Sequence, residues 1–335
     1  MPILCSELDV DALRARRERA IANPLEAGAV LSPSAPSLDT FSHTPSPGNV
    51  FSRNEQQVAD DSPNPLRPPI ERLRDVCSSQ SGFSSLSFRL LEPFGDAAPD
   101  RWAHVWRVEV TEGEEVLGIV VLKLLVEALF RLTDDTSGYW QPAEEGVKAE
   151  LAAYKAFRAV QGRDVPHLYG AFSFRMPWSE QVVGFVLEDL SPAAENIYNY
   201  LEDRKEAGDL ETVEQIDGIT SASNHLVHRL QRLGITSFEA SPGDVQVFSS
   251  SSHPPQVAWL DFGQTQPASV FAARHAEMHG KLVEEGGSGL PAWQHMDEYH
   301  LGSVFRFFSP VTYSAWVRME MERKEGCLYL GRPGP

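Results

Sequence analysis

The sequence predicts an α+β chain in which the strand-forming part precedes the helical part, behind a disordered N-terminal arm. Three observations carry this. From Ile21 to Pro69 the chain is dense in Pro, Ser, Asn and Asp and poor in large apolar residues, so burial there cannot offset the entropy of ordering. From Phe83 to Leu190 short apolar and β-branched runs alternate with turn residues. Beyond Leu190 the apolar residues recur mainly at helical spacing. Strands first and helices afterwards place the two kinds of element in separate lobes.

Within the arm, Ser6 to Ala22 carries Leu8, Val10, Leu13 and Ile21 among charges, the pattern of one short helix. Order is expected to begin near Phe83. Phe88, Leu90 and Leu91 lead to Gly95, followed by strands at Val105–Val110 and Val116–Leu125, with the turn residues Thr111-Glu112-Gly113 between them. Glu144 to Val160, apolar at Val147, Leu151, Tyr154 and Phe157, reads as a helix. Strand-like runs follow at Leu168–Phe174 and Val182–Leu190, then helical patterns at Ala193–Glu206 and Leu210–Leu233. Val245–Phe248 and Val257–Leu260 bracket a polar turn, and helical patterns fill Ser269–Glu285, Pro291–Phe308 and Thr312–Lys324. The predicted divisions are an arm over 1–80, a β-rich lobe with its hinge over 81–190, and a shortened helical lobe over 191–335.

Composition narrows the function. The 335 residues are 42% hydrophobic, enough for a sizeable core. Asp and Glu outnumber Lys and Arg by 47 to 29, a formal charge of -18, and no basic cluster offers the positive field that nucleic acid or an anionic membrane requires. Small molecules or a protein partner recruited by the acidic surface or the arm are the expected ligands. Cys5, Cys77 and Cys327 are scattered and suggest neither a disulfide framework nor a Cys-x-x-Cys metal site. With no signal-peptide pattern, and with the most apolar run, Val116 to Leu132, interrupted by Lys123, Glu127 and Arg131, the chain is expected to be intracellular, cytoplasmic or nuclear.

Four short motifs carry chemistry in a fixed order: Val120-Val121-Leu122-Lys123 on a strand, Glu150 on the next helix, Glu188-Asp189-Leu190 after a strand, and Leu260-Asp261-Phe262-Gly263. Over Ser85 to Gly263 this order resembles the protein-kinase-like superfamily, particularly divergent fungal kinase-like proteins with a degenerate catalytic loop. The resemblance implies a two-lobed fold with a β-rich N-lobe and a helical, shortened C-lobe. It implies that Lys123 holds the α- and β-phosphates of ATP, that Glu150 orients Lys123, and that Asp261 binds Mg²⁺. It makes the stretch containing Glu188 and Leu190 the hinge that contacts adenine, and places Gly95 in the phosphate-covering loop, where the other glycines of that loop are missing. Glu144 and Glu145 compete with Glu150 for its role; Glu150 is preferred from its place in the pattern.

In the same comparison the catalytic loop departs most from the H-x-D-x-x-x-x-N pattern. Aligned on Pro242, Ser237 stands for His, Glu239 for the catalytic Asp and Asp244 for Asn. Glu239 and Asp261 are thus the implied catalytic pair, and Asp244 with Asp261 the implied Mg²⁺ ligands. A side chain one methylene longer misplaces the base, and a misplacement of about 1 Å can cost about a hundredfold in rate. The expected function is therefore binding of ATP and Mg²⁺ with weak or absent phosphoryl transfer, as in a pseudokinase. The alternatives are an active atypical kinase using Glu239 on a protein or small-molecule hydroxyl, and an interaction module that binds no nucleotide.

Two further patterns lie outside this constellation. His275 and His279 share one helical face at a zinc-compatible spacing, but no third ligand accompanies them, which favours a packed or solvated pair. Ser32, Thr44, Ser46 and Ser62 each precede a proline in the arm and are candidate phosphorylation sites.

Overall fold

The computed structural model describes residues 3–4, 9–36, 52–79, 82–95, 103–130, 139–140, 142–202, 218–219, 221–223, 225–226, 229–230, 232–237, 242–248, 256–263 and 265–267. The chain divides into two compact units, Met1–Pro192 with Asp261–Gln266, and Ala193–Leu260 with Pro267–Pro335.

In the first unit the elements run β1 (Ile3–Leu4), α1 (Val10–Ala22), β2 (Val30–Leu31), β3 (Pro33–Pro36), α2 (Arg53–Asp60), α3 (Glu71–Ser78), β4 (Leu86–Pro93), β5 (His104–Glu112), β6 (Glu115–Leu125), β7 (Tyr139–Trp140), α4 (Ala143–Ala156), β8 (Leu168–Arg175) and β9 (Gln181–Leu187). Seven of these strands form one antiparallel sheet in the order β2-β4-β5-β6-β9-β8-β3.

The two edge strands, β2 and β3, are separated in sequence by Ser32 alone. One residue spans at most about 3.6 Å, so the two edges of the sheet must lie side by side. The sheet curls almost into a barrel. Its interior follows from period-2 alternation: Phe88 and Leu90 on β4, Trp106, Val108 and Val110 on β5, Val120, Leu122 and Leu124 on β6, and Phe172 and Phe174 on β8 are all buried in one core. Phe88 and Phe174 meet edge to face with centroids 5.3 Å apart. Gly184 on β9 is required by this packing, since a Cβ there would come within 2.8 Å of Leu124 and Phe174 and 2.9 Å of Leu122.

This architecture corrects the expected two-lobed kinase-like fold with a helical C-lobe. The described structure is mostly antiparallel sheet with few helices. After Leu190 it consists of β10 (Ala194–Asn196), α5 (Ile197–Glu202), helical residues among 218–232, β11 (Ile235–Ser237), a 3-10 turn at Pro242–Asp244, β12 (Val245–Phe248), β13 (Val257–Trp259) and β14 (Thr265–Pro267). In the second unit β10, β12 and β13 pair as an antiparallel three-stranded sheet. The Ala193–Glu206 segment thus opens as a strand, and the helices predicted within 269–324 lie outside the described residues. Among the described residues no helix is long and apolar enough to cross a membrane.

The disordered arm is corrected as well. Its residues 30–36 supply both edges of the barrel-like sheet, and residues 52–79 form a strap along residues 158–169. Composition missed this because the strap has few apolar residues: Val58 and Ala59 are buried, Leu73, Val76 and Cys77 join the core, and tertiary polar contacts hold the rest. Ser52 and Glu55 cap α2 reciprocally, and Arg158 donates to both Glu55 oxygens at 2.8 and 3.2 Å. Asn64 Nδ2 donates to Asp164 Oδ1 at 3.0 Å, and Arg67 donates to the carbonyls of Arg163 and Val165. The Ile70 N–H donates to Tyr169 Oη at 3.0 Å.

Hydrogen bonds from Arg158, with help from Ser52, hold the Glu55 carboxyl down at about 2. A carboxyl whose folded pKa is depressed stabilises the fold above its ordinary range and loses that contribution as pH falls toward the folded value. Urea midpoints should therefore decline between about pH 4.5 and 2, and Glu55→Gln should flatten part of that decline while lowering the midpoint at pH 7.

Candidate functional site

β6 is a central strand, paired with β5 on one side and β9 on the other, and Lys123 lies opposite Val105 and Phe185 in the two ladders. Val120, Leu122 and Leu124 face the barrel interior, so alternation turns Lys123 and Leu125 to the outer face. Helix α4 covers that face: a Cβ on Gly146 would touch Leu125. Val147, Glu150, Leu151 and Tyr154 occupy one buried stripe of α4 at helical spacing. Glu150 therefore points inward, whereas Glu144 and Glu145 pair with Lys148 on the exposed side at 2.7 and 3.3 Å.

The ion pair expected between Lys123 and Glu150 is present. Lys123 Nζ donates to Glu150 Oε1 at 3.0 Å and Oε2 at 2.8 Å, with Lys123 5% exposed and Glu150 fully buried. A third bond, also 2.8 Å, runs from Nζ to Asp261 Oδ1. Asp261 sits at φ 62°, a left-handed conformation that costs a non-glycine residue about 1–3 kcal/mol. Two features hold it there. The Gly263 N–H donates to Asp261 Oδ1 at 3.1 Å. Phe262 is buried against α4, with ring centroids 5.2 Å from Tyr154 and 5.1 Å from Phe157, and Thr265 Oγ1 donates to the Phe262 carbonyl at 2.8 Å.

Burial opposes the Lys123 charge, but Glu150 and Asp261 outweigh it and raise the ammonium above its ordinary value, so Lys123 stays charged. Burial pushes the Glu150 carboxyl up to about 7 against the pull of Lys123, and nearby Asp261 adds to the rise. For Asp261 burial also pushes upward, but Lys123 and the Gly263 N–H prevail and hold it below the usual range. Among the described residues Tyr154 Oη is buried without a hydrogen-bond partner, and burial beside Glu150 and Asp261 keeps the phenol protonated.

Glu188, assigned to the adenine-binding hinge, faces the strap: its carboxylate accepts Arg67 Nε at 2.7 Å and Nη2 at 3.2 Å, and the His167 N–H at 3.0 Å. Its own N–H donates to the His167 carbonyl at 2.9 Å. Leu190 is buried. Gly95 follows β4 at φ 77°, with open space where a Cβ would stand. Asp244 belongs to the second unit, where its carbonyl accepts the Leu260 N–H at 2.7 Å. Glu239, His275 and His279 lie outside the described residues. The structure thus brings Lys123, Glu150 and Asp261 together. Arg67, which fixes Glu188, went unnoticed in the sequence because a single cation in a Pro-rich stretch carries no periodic signal.

Among the described residues no group of three or more His, Cys, Asp or Glu gathers around a potential metal position. Mg²⁺ does not need such a group, since it binds through one or two carboxylates completed by phosphates and water. Asp261 fits that use. Its side chain is 51% exposed and Oδ1 carries its bonds to Lys123 and Gly263, leaving Oδ2 as a hard oxygen donor. No protein-family model matches the chain, and no curated protein matches it.

Proposed function

We propose that this chain binds ATP with Mg²⁺ at the cluster of Lys123, Glu150 and Asp261, and that it transfers the phosphoryl group weakly or not at all. The observation that carries the reading is a charged lysine buried in an apolar sheet and held between two carboxylates, one enclosed and one half exposed. Glu150 uses both oxygens to aim the ammonium, and Asp261 is the partner that can exchange. An ammonium has three donors, and all three are committed here. A phosphate oxygen is therefore accepted only when Asp261 Oδ1 leaves Lys123. With both carboxylates ionised the cluster is net negative and repels a bare triphosphate. Mg²⁺, held by Asp261 and phosphate oxygens, supplies charge neutralisation.

Weak chemistry rests on the catalytic loop, where Glu239 stands for the shorter Asp. A protein or small-molecule hydroxyl remains the acceptor class if transfer occurs. The saturation of Lys123 also favours a second reading, in which the cluster is structural and the chain acts through protein contacts.

A thermal-shift titration separates the two. MgATP at about 100 times its Kd should stabilise the fold by about 2.7 kcal/mol, ATP without metal should give little shift, and Lys123→Met should remove the response. An unchanged melting temperature at millimolar MgATP would overturn the nucleotide reading and leave the interaction module.

A further inference from the structure

The strap has a chemistry of its own, independent of the nucleotide reading. Ser62-Pro63-Asn64-Pro65-Leu66-Arg67-Pro68-Pro69 contains four prolines, which fix φ and remove four backbone donors. Such a segment cannot be zipped into a sheet and depends on side-chain anchors. Ser62 Oγ donates to Asp164 Oδ1 at 2.7 Å, and Asp164 is fully buried. The Asn64 N–H donates to Ser62 Oγ at 3.2 Å, and Asn64 Nδ2 donates to the same Asp164 oxygen at 3.0 Å. Five residues on, the Arg67 N–H donates to the Gly162 carbonyl at 2.8 Å while its guanidinium grips Glu188.

We infer that Ser62 is a phosphorylation site for a proline-directed protein kinase acting on this chain, and that the phosphate releases the strap from residues 162–167 and Glu188. In the transfer, the bond between the γ-phosphorus of a nucleoside triphosphate and its bridging oxygen breaks. A bond from Ser62 Oγ to that phosphorus forms, the hydroxyl proton passes to the external kinase's carboxylate base, and the nucleoside diphosphate leaves.

The consequence follows from the contact that is lost. The hydroxyl is a donor to a buried carboxylate, whereas a phosphate monoester carries about -1.5 to -2 charges and accepts only, so it repels Asp164 and cannot reseat. Ser62 is half-buried, so transfer takes place while the strap is lifted, and the product traps the lifted state. Ser32, also followed by proline, is exposed between β2 and β3, but Pro33 is buried opposite Phe174, and freeing that proline for an external kinase would open the barrel-like sheet itself. Lifting Ser62–Arg67 breaks none of that sheet's strand pairs and leaves Leu73, Val76 and Cys77 in the core.

The full chain would be incubated with a proline-directed protein kinase and MgATP, freed of nucleotide, mapped by mass spectrometry, and followed by amide hydrogen exchange. Phosphate on Ser62 is expected to speed exchange about tenfold or more at Asn64–Ile70 and Gly162–Val165, with the β4–β6 amides unchanged. Arg67→Ala, which loosens the strap without touching Ser62, should quicken the modification. Ser62→Glu should exchange faster than the neutral, similarly sized Ser62→Gln. The inference is overturned by a phosphorylated Ser62 with unchanged strap exchange, by equal exchange in the Glu and Gln variants, or by absence of phosphate on Ser62 in both wild type and Arg67→Ala.

Discussion

Lys123→Met is expected to cost about 3–5 kcal/mol of unfolding free energy near neutral pH, the usual result of removing one member of a buried ion pair. The deficit should depend on pH. Without the ammonium, Glu150 stays folded only by taking up a proton, because its carboxyl is fully buried and its pKa is already pushed up to about 7 with Lys123 in place. A carboxyl with a raised folded pKa contributes stability that is intact below its unfolded value and lost as pH rises through the folded one. Wild type and variant should both lose about 1.4 kcal/mol per pH unit above about 4.5, but wild type stops near 7, where Glu150 ionises beside Lys123, whereas the variant goes on losing it, so the deficit opens above about pH 7. Pairing the change as Lys123→Met with Glu150→Leu removes the stranded acid and should restore most of the stability. Urea unfolding at pH 5, 6, 7 and 8 measures this. A small, pH-independent deficit in the single variant would show that Glu150 keeps its charge with water, and the enclosed cluster would no longer explain the site.

The residues that were legible in the sequence are those whose local pattern and tertiary role agree. Val245–Phe248 and Val116–Leu125 alternate or run apolar between turn residues, and they form β12 and most of β6. Lys123 stood out as a lone cation in an apolar strand. Glu150 was preferred to Glu144 and Glu145 because Ala152, Tyr154 and Phe157 sit beside it in the kinase-like pattern, and it lies on the buried stripe of α4 with Val147, Leu151 and Tyr154. The arm was not legible because local and tertiary effects oppose each other there. Pro33 and Pro36 argue against a strand, yet β3 lies at the sheet edge with a register shift between Pro33 and Ala35, where a missing N–H costs little. Glu55 and Arg67 read as solvated polar residues until Arg158 and Glu188, more than 100 residues away, are folded beside them. The helical second half was overread for the related reason that a 3.6-residue period is a weak guide in short segments: Ala194–Asn196 joins a sheet through β12, a contact no window of ten residues contains.

Phe262→Ala should be as costly as the loss of Lys123 and should act on the same site through a different route. The ring is 1% exposed and stands edge to face on Tyr154 at 5.2 Å and 89°. Truncating a buried phenylalanine costs about 3–5 kcal/mol, from lost burial and from the cavity left behind. Here the ring also sits next to a strained backbone, since Asp261 at φ 62° directly precedes the seated Phe262 and accepts the Gly263 N–H on its carboxylate. Freed of the anchor, Asp261 should relax from Lys123, and its depressed carboxyl pKa should climb back toward the ordinary range. Phe262→Leu, which fills more of the site, should lose less stability and keep Asp261 low. Side-chain carboxyl-carbon (Cγ) NMR of Asp261 follows its titration directly. Urea unfolding of Phe262→Ala, Lys123→Met and the double variant supplies the thermodynamic test. If the aromatic anchor positions Asp261 on Lys123, the two losses should be non-additive by about 0.5–3 kcal/mol. Losses that add to within about 0.5 kcal/mol, together with an unmoved Asp261 pKa in Phe262→Ala, would show that the ring serves the core alone.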